Sequence, residues 1–126
     1  MNTYKRIKFG DEIIPKFTSE ILINSPSEEI IPQYGGVYIF RDLRGILYIG
    51  ETINLLRRFN EHRYDLNSKL NKFLATPIHS AYFSWIRKSK REDRLQLEKD
   101  LVSFFHPICN SILFKTNHDS RKLCHF

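Results

Sequence analysis

Cysteine is nearly absent from this chain: Cys109 and Cys124 are the only thiols in 126 residues. Two are too few for a disulfide framework, and they are not spaced as zinc ligands. The expectation is one small buried residue and one incidental tail residue. Long apolar runs are missing too, since no stretch approaches the roughly 20 residues that span a bilayer. The basic start at Lys5, Arg6 and Lys8 is followed by Asp11, Glu12 and Lys16 instead of an apolar signal segment, so a cytoplasmic protein is expected. No internal repeat or low-complexity tract is visible, which sets repeat architectures aside. Acidic residues are in deficit, 14 against 20 Lys plus Arg, and the resulting charge of +6 suits a polyanion-binding surface without being specific to one. What is present is 41% hydrophobic and 13% aromatic residues, sufficient for one core that buries roughly two-thirds of the unfolded surface.

Two aromatic-glycine words stand close together, Gly36-Val37-Tyr38 and Tyr48-Ile49-Gly50. The stretches Val37 to Phe40 and Ile46 to Ile49 are rich in β-branched and aromatic residues, and the polar Arg41-Asp42-Leu43-Arg44-Gly45 lies between them. This predicts a hairpin with Tyr38 and Tyr48 on neighbouring strands, each offering a phenol to whatever binds there. From Glu51 the period changes to three to four, with Leu55, Phe59 and Leu66 on one stripe. A helix capped by Thr52 or Asn54 is expected, and the spacing of four places Arg58 and His62 on one face, flanking that stripe.

Downstream, Asn67 to Leu74 reads as a short helix ended by Thr76-Pro77, and Ile78 to Ile86 as a third strand. Ser80, Tyr82 and Ser84 alternate there with Ala81, Phe83 and Trp85. Arg87 to Arg91 is a basic turn, followed by a helix that Pro107 stops. On that helix Leu101, Val102 and Phe105 follow Glu98 by three, four and seven positions, so a carboxylate shares the buried side. An unpaired acid there costs several kcal/mol. Something positive must meet it, either a basic side chain such as Arg58 or a metal ion. Residues 1–31 read as an extension, with alternation at Tyr4 to Phe9 and Ile21 to Ile23 forming edge strands or an arm. Ile112 to Phe114 is a last strand candidate before a tail over 116–126.

These residues resemble the GIY-YIG nuclease superfamily, which includes homing endonucleases, some restriction enzymes and the first-incision domain of the excision-repair nuclease. After the second glycine the family pattern has an arginine, here Arg58, and four residues on an aromatic or histidine, here His62. It closes with a glutamate, a proline and an asparagine, matched by Glu98, Pro107 and Asn110. The resemblance covers about residues 32–113, and agreement at fixed offsets is far more specific than either tyrosine word alone.

The resemblance implies an α+β fold with a small central three-stranded antiparallel sheet flanked by helices, and a nuclease domain over residues 32–115. It implies a DNA endonuclease with Glu98 holding one Mg²⁺ or Mn²⁺ and Tyr38 accepting a proton from the attacking water. Arg58 would clamp the phosphate, and Tyr48 and His62 would position phosphate or water. Gly36, Gly50 and Asn110 would support the site. DNA is the expected partner, with no membrane and no small-molecule cofactor; nothing in the pattern sets an oligomeric state. Arg57, Arg63, Lys88, Lys90 and Arg91, with Lys69 and Lys72, are candidates to track the DNA backbone, and Tyr82 and Trp85 to stack on bases; a solvated charged rim around a packed tryptophan is the equal alternative. A small member without a separate recognition domain is expected to have little sequence specificity. Two other readings stay open, a non-catalytic nucleic-acid-binding module and a nuclease component of a repair or mobile-element complex. Glu51 departs from the lysine, serine or glutamine of many relatives, and a metal contact or a salt bridge to Arg57 or Arg58 is expected of it.

Overall fold

The two tyrosine words form a hairpin of β4 (Gly36–Asp42) and β5 (Gly45–Thr52), closed at Leu43-Arg44, with Gly45 at a positive φ of 116°. A side chain at Gly45 would strain that turn. Residues 6–9, 12–15 and 19–110 are described by the computed structural model. Ahead of the hairpin come β1 (Arg6–Phe9) and β2 (Glu12–Pro15), paired antiparallel with each other, then β3 (Ser19–Leu22) and a 3-10 helix, Pro26–Ile30. After it come α1 (Leu55–Tyr64), α2 (Lys69–Ala75), β6 (Tyr82–Arg87) and α3 (Arg91–Phe105).

The sheet is antiparallel throughout, in the order β3-β6-β4-β5. The three expected strands are its centre and one edge, and β3 adds a fourth at the other edge, from residues within the sequence-assigned extension. Alternation along the strands divides the interior in two. Tyr38, Phe40, Tyr48, Phe83 and Trp85 point to the face covered by α1 and α2, where Leu55, Phe59, Leu70 and Leu74 complete the larger core. Val37, Ile39, Ile49 and Ile86 point the other way, against Leu97, Leu101 and Val102 of α3.

Local chemistry fixes the helix ends. Asn54 caps α1 by accepting from the Arg57 amide at 3.0 Å, while the Thr52 hydroxyl accepts from the Asn54 amide at 3.0 Å. Ser68 caps α2 through the Asn71 amide. His106 ends α3 in the left-handed region with Pro107 behind it.

Two sequence expectations shift, and the choice left open at Trp85 is settled. Leu66 is 76% exposed, because α1 stops at Tyr64 before the stripe can carry that side chain inward. The third strand begins at Tyr82 rather than Ile78. Ile78 instead docks on the hairpin turn, where the Leu43 amide donates to the Ile78 carbonyl and the Ile78 amide to Asp42. Trp85 is 2% exposed and donates its indole N–H to Tyr34, so it packs in the core and has no face for a base. Tyr4, the strand candidate at Ile112 to Phe114, the tail over 116–126 and Cys124 lie outside the described residues. Cys109 is buried, as expected. Among the described residues no helix is long and apolar enough to cross a membrane.

Candidate active site

Tyr38 on β4 lies opposite Gly50 on β5, and Tyr48 lies opposite Phe40, which makes the two tyrosines diagonal neighbours with ring centroids 6.1 Å apart. The glycines explain themselves sterically. A Cβ on Gly50 would run into the Tyr38 ring, and one on Gly36 would meet the Ile86 carbonyl of β6 at 2.5 Å. The second glycine therefore makes room for the first tyrosine.

Helix α1 crosses this face and delivers both of its candidates. His62 is buried, and its Nε2 lies 2.7 Å from the Tyr38 hydroxyl; its ring centroid is 5.0 Å from that of Tyr48. Burial, with the Arg58 cation adding to it, pushes the His62 pKa down to about 3, so the imidazole is neutral. Neutral imidazole has one bare nitrogen, and Nε2 can take the Tyr38 proton in a hydrogen bond. Burial also raises the Tyr38 pKa well above its ordinary value, Tyr48 adds to the rise, and Arg58 opposes it. Tyr48 is raised for the same first reason, again opposed by Arg58. Both phenols are neutral in the free protein.

Arg58 is half-exposed and donates from Nη1 to Glu61 at 2.8 Å. Burial works against its charge, but the bonds to Glu61 and Tyr38 outweigh that and hold the guanidinium protonated. One arm of the fork is engaged by Glu61, and the guanidinium lies close enough to Tyr38 and Tyr48 to act on both.

Glu98 comes from the other side of the sheet. Strand β5 is an edge strand, and α3 packs beneath it. The Glu98 carboxylate is near enough for its charge to raise the pKa of both Tyr38 and Tyr48. Burial first, and Glu51 second, raise its pKa to about 7. The alternative of an internal salt bridge with Arg58 is not what the chain adopts: Arg58 pairs with Glu61, and among the described residues no basic side chain pairs with Glu98.

Glu51 corrects an expectation. It pairs with neither Arg57 nor Arg58, which both turn to Glu61, but with Arg94 of α3, Nε to Oε1 3.0 Å. By alternation Glu51 shares the face of Ile49, toward α3, whereas Arg57 and Arg58 lie on the opposite side. Arg94 is 5% exposed and also donates to the Lys88 carbonyl at 3.2 Å and the Ser89 carbonyl at 2.9 Å. Sequence reading passed over Arg94, although its place one turn before Glu98 on the apolar stripe was a usable signal.

Asn110 supports the edge directly. Its side chain accepts from the Ile49 amide at 2.8 Å and donates to the Ile49 carbonyl at 2.8 Å, so one amide group stands in for a neighbouring strand. Cys109 and Ile108 continue this edge with backbone donations to Leu47 and Ile46. The strand between the two tyrosine words and Glu98 is thereby pinned.

The basic candidates separate into two groups. Lys90 and Arg91 are exposed at the start of α3, Lys88 is partly exposed beside them, and Arg57 is exposed on α1. Arg63 is engaged instead: its guanidinium binds Glu28 at 2.5 Å and Asn24 at 2.6 Å, tying α1 to the 3-10 helix. Tyr82 is covered by the Arg41 guanidinium, 4.6 Å from its ring centre.

Among the described residues no three His, Cys, Asp or Glu side chains gather into a ligand set. One half-buried carboxylate without a cationic partner fits a hard divalent ion that keeps most of its waters, the mode magnesium prefers. It does not fit zinc, which demands several protein ligands.

Residues 34–107 match the family model described as the GIY-YIG catalytic domain. UvrABC system protein C from a Hydrogenobaculum species is 33% identical over 88 residues, covering 68% of this chain and 15% of that protein. The chain thus spans a small part of the relative's length. The GIY-YIG N-terminal endonuclease domain of UvrC from Thermotoga maritima has a similar fold. A tyrosine-to-phenylalanine point mutant of it, bound to its catalytic divalent cation, superposes with a TM-score of 0.55 at 21% identity, covering 65% of this chain and 88% of that one. The same domain bound to magnesium gives a TM-score of 0.55 at 19% identity, over 67% of this chain and 96% of that one.

Proposed function

The chain belongs to the GIY-YIG family, and from that premise we propose that it is a metal-dependent DNA endonuclease of low sequence specificity, acting through contacts to the phosphodiester backbone. The observation that carries this reading is the convergence of two phenols, a neutral imidazole and a guanidinium on one side of β5 with a carboxylate on the other that no basic side chain among the described residues pairs with. We assign the catalytic unit to residues 32–115, with 1–31 as an extension whose β3 braces the sheet and 116–126 as a tail.

Glu98 would hold one Mg²⁺ or Mn²⁺, which when bound supplies neutralisation of charge on the departing 3′ oxygen. Tyr38 is the base. Its raised pKa makes a standing phenolate unfavourable, so the proton must move on as it arrives. Water gives a proton to the Tyr38 oxygen while the Tyr38 hydroxyl proton passes along the 2.7 Å bond to Nε2 of His62. An imidazolium there is unfavourable in the free protein; the negative charge of a bound phosphate offsets that. Arg58 spreads its free N–H groups on the non-bridging oxygens, and Tyr48 orients the phosphate. Arg57, Lys88, Lys90 and Arg91 guide the DNA backbone toward this group, which makes affinity salt-dependent.

The test incubates the full chain with end-labelled single-stranded, nicked and duplex DNA, with Mg²⁺, with Mn²⁺ and with chelator, beside Glu98→Ala. Cleavage that needs the metal and is lost in the variant supports the reading. Equal cutting by parent and variant, or binding without cutting under every condition, refutes it.

A further inference from the structure

Resting on that reading of Glu98, we propose that Glu51 is a counter-ion that keeps Arg94 off Glu98, leaving the Glu98 carboxylate open for a divalent cation. Arg94 and Glu98 lie one turn apart on the same face of α3. At that spacing an arginine and a glutamate are within pairing distance. Arg94 is nevertheless turned away: its Nε goes to Glu51 and its Nη1 to the carbonyls of Lys88 and Ser89. Gly35 leaves room for this placement, since a Cβ there would stand 3.0 Å from Arg94 Nη1. One strand and one loop thus hold a buried guanidinium in a direction that does not include the acid one turn away on its own helix face.

The Glu51 carboxylate is the part of that restraint that matches Arg94 in charge. The two carbonyls can hold the guanidinium but cannot neutralise it. Without Glu51, the acid that shares a helix face with the buried cation, one turn away, is Glu98. Arg94 would then swing onto Glu98, and a divalent ion would have to displace it. Arg94 and Glu51 are positioning residues; neither touches the reacting atoms.

The experiment titrates Mn²⁺ into the full chain, reads the free ion by electron paramagnetic resonance, and needs no DNA. Glu51→Gln is expected to weaken binding about tenfold, and Glu51→Gln combined with Arg94→Gln to restore it to within about twofold of the parent. Binding by Glu51→Gln that equals the parent would overturn the proposal. So would a double variant as weak as the single, which would make Glu51 a ligand in its own right. Should Glu51→Gln fail to fold, Arg94→Gln alone decides the matter. It removes the competitor and is expected to bind at least as tightly as the parent, so weaker binding would overturn the idea. Glu98→Gln separates the two levels of argument: if it binds Mn²⁺ like the parent, the metal reading itself fails, whereas its loss beside a normal Glu51→Gln sinks the counter-ion alone.

Discussion

Replacing Glu98 by glutamine should make the metal-free protein more stable while ending its activity. Burial raises the Glu98 pKa from 4.5 to about 7, so at pH 8 the folded chain carries a charge that its surroundings oppose. A rise of that size corresponds to about 3 kcal/mol at most. Water reaches part of the side chain, which reduces the figure to roughly 1 kcal/mol. The folded pKa lies above the unfolded one, so the group's favourable contribution is complete below pH 4.5 and is lost as pH rises through about 7. Glutamine is neutral throughout. Urea unfolding in chelator, at pH 5 and pH 8, should therefore show the variant roughly 1 kcal/mol more stable than the parent at pH 8 and near parity at pH 5. Excess Mn²⁺ should raise the stability of the parent at pH 8 and leave the variant unchanged. Parallel stability curves at both pH values, or a variant weaker at pH 8, would show that the carboxylate is comfortably solvated and that the strain argument is wrong.

Arg58→Ala should slow single-turnover cleavage by about 100- to 1000-fold without loss of the far-ultraviolet circular dichroism, since its guanidinium stands at the rim; a change under tenfold would remove it from the chemistry. The His62 imidazole should remain neutral from pH 8 to pH 5 in nitrogen-resolved NMR. Its folded pKa of about 3 lies below the ordinary 6.5, so its contribution to stability is present above pH 6.5 and fades as pH falls toward 3. A midpoint near 6 would break the proton path from Tyr38. Asn110→Ala should cost about 2 kcal/mol or more by urea unfolding, because both the Ile49 amide and carbonyl lose their partner. A loss under 0.5 kcal/mol, on the order of an exposed substitution, would mean that water or the chain replaces the amide.

The hairpin, the cap at Asn54 and the convergence of Arg58 and His62 were legible because each follows from spacing within a few residues. The acid on the apolar stripe of α3 was legible for the same reason. What could not be read is which arginine answers which acid. Glu51 was matched to its sequence neighbours Arg57 and Arg58, yet strand alternation turns it to the opposite face and into the hands of Arg94, more than forty residues on. Trp85 was left between stacking on bases and packing inside. Its side chain turns into the core on the α1 and α2 face and meets Tyr34, about fifty residues away, while the alternation at Ile21 to Ile23 announced an edge strand but not that it pairs with β6. Exposure of a side chain depends on what the rest of the chain lays over it, and single-segment patterns do not carry that information.

Tyr38 and His62 meet in the middle of a ring cluster with Phe40, Phe59 and Phe83, while Arg58 is half-exposed and Glu98 comes from across the sheet edge. Chemistry and architecture share the same atoms in the interior and part company at the margin. Inherited changes at the two inner positions will tend to destroy the protein along with its activity, so lineages that silence the enzyme yet keep the body intact should do so at the arginine or the glutamate. An inert descendant of this fold would be recognised by an untouched aromatic nest beneath a stripped perimeter.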